Sequence, residues 1–254
     1  MTSMQGKSGL VTASGDGIGR ASAMAFAAAG ANVLVSDVND EAGRETVRLI
    51  RKAGGTAEYL HGNAASEADA EALVKKVVAL WGRLDFAHNN AGVSTQTQPI
   101  TDQVGADWER ILAVNLIGVM YGMKHQMRQM KAQEGGGAIV NTASTAGVSG
   151  SWGLSPYGSS KWGVIGLTKT GAIEGAPAGI RVNAICPGAT MTAALKGWSE
   201  EVPEQFQGVV DAIPLGRAAE PEEQASAAVW LCSPGASYVT GVALAVDGGS
   251  SIPR

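Results

Sequence analysis

The feature that most constrains how this chain folds is a repeated alternation of short β-branched segments with longer helical ones. Asn32–Ser36 (NVLVS), for example, precedes the amphipathic segment Asp40–Ala53, which ends at two glycines. Strands that alternate with helices pair in parallel through right-handed crossovers. We therefore predict an α/β fold, in which one doubly wound, seven-stranded parallel sheet has helices on both faces. The predicted strands span residues 9–13, 32–36, 56–61, 84–88, 138–142, 180–186 and 243–246.

Nothing along the chain marks a domain boundary, since it has neither a low-complexity linker nor a block of like charges. We expect residues 1–254 to form a single domain. Ligands of doubly wound folds bind beyond the carboxyl ends of the strands, so residues just after strands are the candidates for function. One predicted helix is capped by Ser66 and ends at Trp81, and others span residues 20–29, 108–131, 157–172 and 221–231.

Composition and charge exclude several classes of partner. The net charge of −4 does not suit binding to nucleic acid or to an anionic membrane. The apolar segments are interrupted before they reach the length of a membrane span, and Met1–Ser8 lacks the apolar core of a signal peptide. We expect a cytoplasmic protein without a nucleic-acid or membrane partner. Cys186 and Cys232 lie in apolar segments and are expected to be buried and reduced, and we identify no metal site.

A glycine-rich segment, Thr12–Gly19 (TASGDGIG), joins the first predicted strand to a helix, and we call it the glycine turn. Glycines at such a junction let backbone N–H groups approach a pyrophosphate, which the helix N-terminus also favours. The spacing differs from the G-x-G-x-x-G dinucleotide fingerprint, and glycine-rich turns have many structural uses. On its own, the turn leaves cofactor binding and a purely structural role equally open.

Asp37 directly follows the second predicted strand, eighteen residues after Gly19. A carboxylate at this point can accept hydrogen bonds from the adenosine ribose hydroxyls of a dinucleotide. The alternative is that Asp37 starts a turn or caps the next helix. Considered together with the glycine turn, ribose binding is the favoured interpretation. Asp37 and Asp16 would repel the 2′-phosphate of NADP, so we predict NAD as the cofactor.

Tyr157 and Lys161 are four residues apart on a predicted helix, so they project from the same face. Free tyrosine has a pKa near 10, too high for a base at neutral pH, and a neighbouring ammonium group favours the phenolate. Ser144 lies just past a predicted strand, where its hydroxyl could reach a substrate oxygen. Each residue also fits an ordinary role, as an amphipathic pair on a surface helix and a serine in a turn.

The order and spacing of these segments resemble the short-chain dehydrogenase/reductase family from Val11 to Gly249. The glycine turn is similar to the family's T-G-x-x-x-G-I-G motif. The other matching segments, in family order, are Asn89–Gly92 (NNAG), Asn115, Ser144, Tyr157–Lys161 (YGSSK), Pro187-Gly188 and Val246–Gly249 (VDGG). The resemblance implies a Rossmann-type fold and hydride transfer between a nicotinamide cofactor and an alcohol or carbonyl substrate.

By this resemblance, the catalytic residues are Asn115, Ser144, Tyr157 and Lys161. Tyr157 would be the general acid/base on the substrate oxygen, which Ser144 would hold. Lys161 would bind the nicotinamide ribose and lower the pKa of Tyr157. Asn115 would bind a water that passes protons to Lys161, although a helix-interior amide that satisfies a local backbone bond is the ordinary alternative.

The resemblance also assigns the cofactor contacts. Asn90 would touch the cofactor ribose, and Thr190 and Thr192 the nicotinamide carboxamide. The full predicted set is Ser14, Gly15, Asp16, Gly17, Ile18, Gly19, Asp37, Asn63, Ala64, Asn90, Gly92, Tyr157, Lys161, Pro187, Gly188, Thr190 and Thr192.

Two residues depart from the family pattern. Ala13 replaces the first glycine of the motif, and its methyl group costs about 1 kcal/mol if φ is positive there. Asn63 stands where an aspartate usually contacts adenine, and its amide oxygen can still accept a hydrogen bond. Both departures concern the affinity for the cofactor and not the type of reaction.

We therefore expect an oxidoreductase that transfers a hydride between NAD(H) and a secondary alcohol or ketone, a small-molecule substrate. Residues 193–213 hold Leu195, Trp198 and Phe206 and are predicted to form a substrate lid. Two alternatives stay open: a 3-oxoacyl-carrier-protein reductase of the same family, and an NAD-binding regulator or scaffold without turnover. The resemblance further implies a homotetramer.

Overall fold

A parallel sheet of seven strands, in the order β3-β2-β1-β4-β5-β6-β7, forms the centre of the computed structural model, which describes residues 3–252. The order reverses between β1 and β4, and this switch point is where doubly wound folds bind their ligands. The predicted fold class is confirmed, and each predicted strand is present. The strands are β1 (Ser8–Thr12), β2 (Asn32–Asp37), β3 (Thr56–His61), β4 (Phe86–Asn89), β5 (Gly137–Thr142), β6 (Ile180–Pro187) and β7 (Ala243–Val246).

Helices cover both faces of the sheet and bury two apolar cores. One core lies under α3, α5 and α6 and contains Leu10 and Ile139; the other lies under α1, α2 and α9 and contains Val11 and Phe86. Neighbouring residues of one strand thus enter opposite cores, as the pleat requires. The helices are α1 (Gly17–Ala28), α2 (Asp40–Lys52), α3 (Glu67–Trp81), α4 (Gly105–Leu112), α5 (Gly118–Lys131), α6 (Ser155–Gly175), α7 (Ala193–Glu201), α8 (Pro203–Asp211) and α9 (Pro221–Cys232).

Local signals in the sequence account for several helix boundaries. Ser66 caps α3, because its Oγ accepts a hydrogen bond from the Asp69 backbone N–H at 3.2 Å, as predicted. Asn39 and not Asp37 caps α2, through a bond from the Ala42 N–H to Asn39 Oδ1 at 3.1 Å. Asp37 is therefore not used as a helix cap.

The helix predicted over residues 108–131 is interrupted by a π-helical turn. Ala113–Ile117 adopts this turn between α4 and α5, so the helical segment is continuous but one turn is widened. Such turns are rare and often occur at functional sites. The hydrophobic periodicity of the sequence did not predict this turn, because one widened turn in a long helix changes the spacing of its apolar residues very little.

The structure of residues 3–252 tests the predicted burial of the two cysteines. Cys186 and Cys232 are both buried with free thiols, as predicted. In this part of the chain, no helix combines the length and the apolar character needed to cross a bilayer.

Candidate active site

The glycine turn connects the carboxyl end of β1 to α1 and is fixed by side chains from β2. Ser14 Oγ donates to the Val11 carbonyl at 2.8 Å and accepts from the Ser36 N–H at 3.0 Å. Asp37 Oδ2 accepts from the Gly15 N–H at 2.8 Å, and Asp37 Oδ1 accepts from the Asn39 N–H at 2.9 Å. The Asp37 carboxylate is therefore held against the turn, and each of its oxygens has a lone pair left for a further donor.

The glycines of this turn leave space that a side chain would fill. A Cβ on Gly15 would lie 2.8 Å from Asp37 Oδ2, and a Cβ on Gly19 would overlap the Ala13 carbonyl. Asp16 is the N-cap residue of α1, and among the described residues no side chain caps the first N–H groups of this helix. Uncapped N–H groups at the positive end of a helix suit an anion. The turn therefore fits the pyrophosphate of a dinucleotide.

Ala13 adopts φ 48°, the left-handed conformation that glycine tolerates best. The condition stated in the sequence analysis is therefore met, and the methyl group of Ala13 carries the cost of a positive φ. The neighbouring Asn90 bonds this turn through its side chain. Its Nδ2 donates to the carbonyl oxygens of Thr12 and Ala13, both at 3.3 Å, and so binds the strained part of the turn. The expected contact of Asn90 with the cofactor ribose stays a prediction.

Arg20 is a residue of this site that the sequence prediction missed. Arg20 on α1 donates to the Gly15 carbonyl and to Thr46 Oγ1. Its Nη1 lies 3.8 Å from Asp16 Oδ1. The i,i+4 spacing of Asp16 and Arg20 was the available signal. Arg20 offsets part of the negative charge of Asp16, so Asp37 is the better candidate for cofactor discrimination.

Asn63 and Ala64, after β3, line a cavity together with Thr12 and Val114. Asn63 Oδ1 accepts from the Ala65 N–H at 3.0 Å and has a second lone pair left for a further donor. The expected contact of Asn63 with adenine stays a prediction.

The two predicted threonines after β6 differ in their contacts. Thr190 is buried, and its hydroxyl bonds the Gly188 carbonyl at 3.0 Å and Gln224 Nε2 at 3.2 Å. Thr192 caps α7 through the Leu195 N–H, and its Cγ2 would lie 3.0 Å from a Cβ on Gly17. Of the two threonines, only Thr192 is placed against the turn.

Tyr157 and Lys161 lie on the first turns of α6, next to Ser144 at the end of β5. Lys161 is buried, and its Nζ donates to the Thr142 carbonyl at 2.8 Å and lies 5.6 Å from the Tyr157 ring centre. A Cβ on Gly92 would come within 3.3 Å of this Nζ, so the loop after β4 also closes on Lys161. The structure thus brings three predicted catalytic residues together.

Burial controls the ionisation of these groups. It raises the pKa of Tyr157, and the hydrogen bond with Ser144 lowers it. Burial lowers the pKa of Lys161 to about 8. Ser144 is thus one group that favours the phenolate of Tyr157. The expected effect of Lys161 on the pKa of Tyr157 stays a prediction.

Asn115 lies in the π-helical turn and is fully buried. Its Oδ1 accepts from the Val93 N–H at 2.8 Å, and its Nδ2 donates to the Val93 carbonyl at 2.9 Å and to Ser160 Oγ at 3.2 Å. The side chain therefore clamps the loop after β4 onto α6. These side-chain bonds all go to other residues of the protein. The expected role of Asn115 in binding a water stays a prediction.

The segment predicted as a lid forms α7 and α8. None of the residues of these two helices is buried. The rings of Trp198 and Phe206 meet edge to face, with centroids 6.1 Å apart. Since Thr192 both caps α7 and contacts the glycine turn, the segment starts directly at the candidate cofactor site.

Comparison with known proteins identifies the family. A family model described as enoyl-(acyl carrier protein) reductase matches residues 12–251. The chain is 37% identical over 253 residues to a short chain dehydrogenase/reductase of Aspergillus oryzae, covering 98% of this chain and 97% of that protein. The chain belongs to the short-chain dehydrogenase/reductase family. The resemblance seen in the sequence motifs is thereby confirmed, and the chain is an oxidoreductase that acts on an alcohol or ketone.

Three further proteins are similar to this short-chain dehydrogenase/reductase over almost its whole length. It is 41% identical over 249 residues to a 2,5-dichloro-2,5-cyclohexadiene-1,4-diol dehydrogenase of Sphingobium indicum, covering 98% of each. The crystal structure of levodione reductase superposes with a TM-score of 0.93 at 32% identity, covering 98% of this chain and 99% of that one. An Agrobacterium tumefaciens protein, assigned as a 2-deoxy-D-gluconate 3-dehydrogenase and solved with bound NADP, has a TM-score of 0.89 at 32% identity and 98% coverage of both chains.

Proposed function

We propose that this protein transfers a hydride between NAD(H) and an apolar, cyclic secondary alcohol or its ketone. The single observation that carries the proposal is the placement of Ser144, Tyr157 and buried Lys161 beside a glycine turn that Asp37 holds. One end of this site can exchange a proton, and the other end fits a dinucleotide.

The nicotinamide ring of the bound cofactor supplies the hydride chemistry. Tyr157 accepts the proton of the alcohol during oxidation and returns it to the carbonyl oxygen during reduction. Ser144 bonds the Tyr157 phenol and is placed to hold the same substrate oxygen. Lys161, with its pKa lowered to about 8, carries a proton at neutral pH and contributes positive charge to the site. Asn115 keeps the loop after β4 against α6, which positions these groups.

NAD is the proposed cofactor because of Asp37. Its carboxylate lies at the end of β2, bonded to the Gly15 N–H, where ribose hydroxyls would find a strong acceptor. A 2′-phosphate at this point would meet the negative charge of Asp37 and part of that of Asp16. The remaining predicted cofactor contacts are proposed as well: Ser14 to Gly19, Asn63, Ala64, Asn90, Gly92, Pro187, Gly188, Thr190 and Thr192.

The substrate class is proposed from the cover of the site and from the relatives. Trp198 and Phe206 form an aromatic pair in the proposed lid, α7 and α8, which suits an apolar ring. The Sphingobium relative is named for a cyclic diol, and levodione reductase, by its name, acts on a ketone. An apolar cyclic alcohol is consistent with both observations.

We further propose a cytoplasmic homotetramer built through α4, α5 and α6. Trp162 and Ile173 on α6, and Ile117 in the π-helical turn between α4 and α5, are exposed in the single chain. Apolar side chains clustered on neighbouring helices are typical of an interface between subunits. Sedimentation analysis of the purified protein tests this assembly, and a monomer at micromolar concentration would contradict it.

The function itself is tested by steady-state turnover with a panel of cyclic and linear secondary alcohols. We expect kcat/KM with NAD to exceed that with NADP by about tenfold to a hundredfold, since 1.4 kcal/mol corresponds to one decade. Preferred reduction of a 3-oxoacyl thioester with NADPH would support the carrier-protein reductase instead. Tight NAD binding without turnover of any alcohol or ketone would support a regulator or scaffold.

A further inference from the structure

A chain of polar side chains leads from the interior of the sheet to the glycine turn. His88 on β4 is fully buried, and its Nε2 lies 2.9 Å from Thr142 Oγ1 at the end of β5. Thr142 Oγ1 in turn lies 3.2 Å from Asn90 Oδ1. The Asn90 Nδ2 group then bonds the carbonyl oxygens of Thr12 and Ala13. The chain thus ends on the residue with the strained φ of 48°.

The hydrogen bonds of this chain can run in only one direction. The two carbonyl oxygens of the turn accept and never donate, so the NH₂ group of Asn90 must face them and its Oδ1 must face Thr142. An amide oxygen also only accepts, so the single hydroxyl proton of Thr142 goes to Asn90. Thr142 Oγ1 must then accept from His88, which places the imidazole proton on Nε2.

The other imidazole nitrogen of His88 has no role in the packing. Within the described residues, the buried Nδ1 has no hydrogen-bond partner. Burial lowers the pKa of His88 to about 3, so the ring is neutral and has one N–H to donate. A buried acceptor without a partner is unfavourable. The single N–H of His88 therefore donates to Thr142, and among the described residues the Nδ1 atom on the opposite side of the ring has no donor.

We propose that His88 is a positioning residue for the cofactor: through Thr142 and Asn90 it holds the Ala13 carbonyl, and with it the glycine turn, in the shape that receives the pyrophosphate. This inference rests on the proposed dinucleotide binding. The backbone of Thr142 also accepts the bond from Lys161 Nζ, so the same residue anchors the catalytic end of the site. His88 influences the cofactor only through the residues between them.

The first test measures NAD binding by calorimetry and turnover at saturating NAD. His88→Val and Thr142→Val should each raise the Kd of NAD by about three- to tenfold, the loss expected for one hydrogen bond. The kcat of His88→Val at saturating NAD should stay within about twofold of wild type, because the lost bond acts on binding of the cofactor. Thr142→Ser keeps the hydroxyl and should keep the affinity.

Thr168→Val is the matched control for Thr142→Val. Thr168 is also fully buried, and its hydroxyl accepts from Asn141 Nδ2 at 2.9 Å and donates to the Val164 carbonyl at 2.8 Å. It lies in a neighbouring polar network that does not lead to the glycine turn. We expect a comparable loss of Tm and an unchanged Kd of NAD. An equal loss of NAD affinity in this control would overturn the positioning role.

The second test uses the strain at Ala13. Glycine adopts φ 48° without strain. In the Ala13→Gly variant, the glycine turn should therefore no longer depend on the hydrogen bonds that run from His88 through Thr142 and Asn90. In this background, adding His88→Val should change the Kd of NAD by less than about twofold, well below the effect in wild type. An undiminished effect in the Ala13→Gly background, or no effect of His88→Val in wild type, overturns the proposal.

The third test does not depend on a cofactor. The protein has three histidines, and the nitrogen signals of His88 are assigned by their loss in His88→Val. Nitrogen-15 NMR should show the Nε2–H tautomer at neutral pH, and an Nδ1–H tautomer overturns the proposal. A wild-type protein that binds neither NAD nor NADP contradicts the proposed function as well, whereas equal NAD binding by wild type and His88→Val contradicts the role of His88 alone.

Discussion

The candidate catalytic edge of the sheet and the proposed lid, α7 and α8, are built in opposite ways. At the edge, Lys161 and Asn115 are buried, and their polar atoms bond the backbone of Thr142 and Val93. In the proposed lid, no residue of α7 or α8 is buried. The edge holds groups whose spacing the chemistry requires. The lid can change its side chains at little cost to folding, which leaves the choice of substrate open to variation.

This difference predicts different results for mutations in the two regions. Changes at the sheet edge should alter turnover or cofactor binding, and changes in the lid should alter KM for the substrate alone. The predictions below run from the largest expected effect to the smallest.

Tyr157→Phe removes the proton donor and keeps the ring. We expect kcat to fall by about 10²- to 10⁴-fold, the usual contribution of general acid–base catalysis. The Kd of NAD, measured by calorimetry, should change little, because the phenol oxygen acts on the substrate. Tyr238→Phe is the matched control, since Tyr238 is fully exposed. Wild-type turnover in Tyr157→Phe would remove this residue from the mechanism.

Ser144→Ala should lower kcat by about 10²-fold, as loss of a donor to the substrate oxygen does elsewhere. It should also change the pH profile. Burial raises the pKa of Tyr157 and Ser144 lowers it, so removal of the hydroxyl should raise this pKa further. Oxidation requires the ionised phenol, so the rise of kcat/KM with pH should move to higher pH. Ser144→Thr should restore the wild-type profile, and a shift to lower pH would contradict the assignment.

Asp37→Ala should reduce the preference for NAD over NADP by about tenfold or more, mainly through weaker NAD binding. A hydrogen bond to a charged acceptor contributes about 1.5–3 kcal/mol. The measurement is kcat/KM with each cofactor at one saturating alcohol. Asp40→Ala is the control, because Asp40 bonds Tyr59 and His61 and not the turn. An unchanged ratio in Asp37→Ala would mean that Asp37 serves only the turn.

Trp198→Ala and Phe206→Ala should each raise KM for a cyclic alcohol by about three- to tenfold, the effect of losing part of an apolar contact. The Kd of NAD should stay constant, and Tm should change little because neither ring is buried. Gln207→Ala on the same helix changes an exposed side chain that bonds Asp211, and it should leave KM unchanged. A loss of stability as large as that of a core mutation would show that α7 and α8 are structural.

Ala13→Gly should stabilise the protein by about 1 kcal/mol, because glycine relieves the cost of φ 48°. For a chain of this size, this corresponds to a rise in Tm of about 2–4 °C. Ala25→Gly, in the interior of α1, should have the opposite sign, since glycine weakens a helix. A destabilised Ala13→Gly variant would show that the methyl group contributes packing that outweighs the strain.

The sequence predicted well those features that arise from a repeated pattern or from residues close together in the chain. The seven strands follow from short β-branched segments, and the cap of α3 follows from Ser66 and Asp69. The grouping of Ser144, Tyr157 and Lys161 follows from strand ends and helical spacing, once parallel pairing is assumed. The sequence indicated Ala13 as a position to check, because the residue replaces a family glycine, but it did not predict the sign of φ.

The parts that it missed depend on contacts between residues far apart in the chain. Arg20 is close in sequence to the turn, but its orientation is fixed by Thr46 on α2, which accepts its Nε bond from 26 residues away. The bond of Asn90 to Ala13 spans 77 residues, and no spacing rule predicts it. His88 did leave a signal, a histidine inside an apolar strand, but its partner Thr142 is known only from the pairing of β4 with β5.

The π-helical turn at Ala113–Ile117 makes this region sensitive to chain length in an unusual way. The turn accommodates one more residue than an α-helical turn would. If one residue of this turn were deleted, the helix would close into a regular α-helix with α4 and α5 near their present orientations, because the widened turn is what absorbs the additional residue. The buried face of α5, with Met123, Met127 and Met130, would stay against its core. Asn115 would lose the placement from which it bonds Val93 and Ser160, so a single-residue deletion here should damage the site more than the fold.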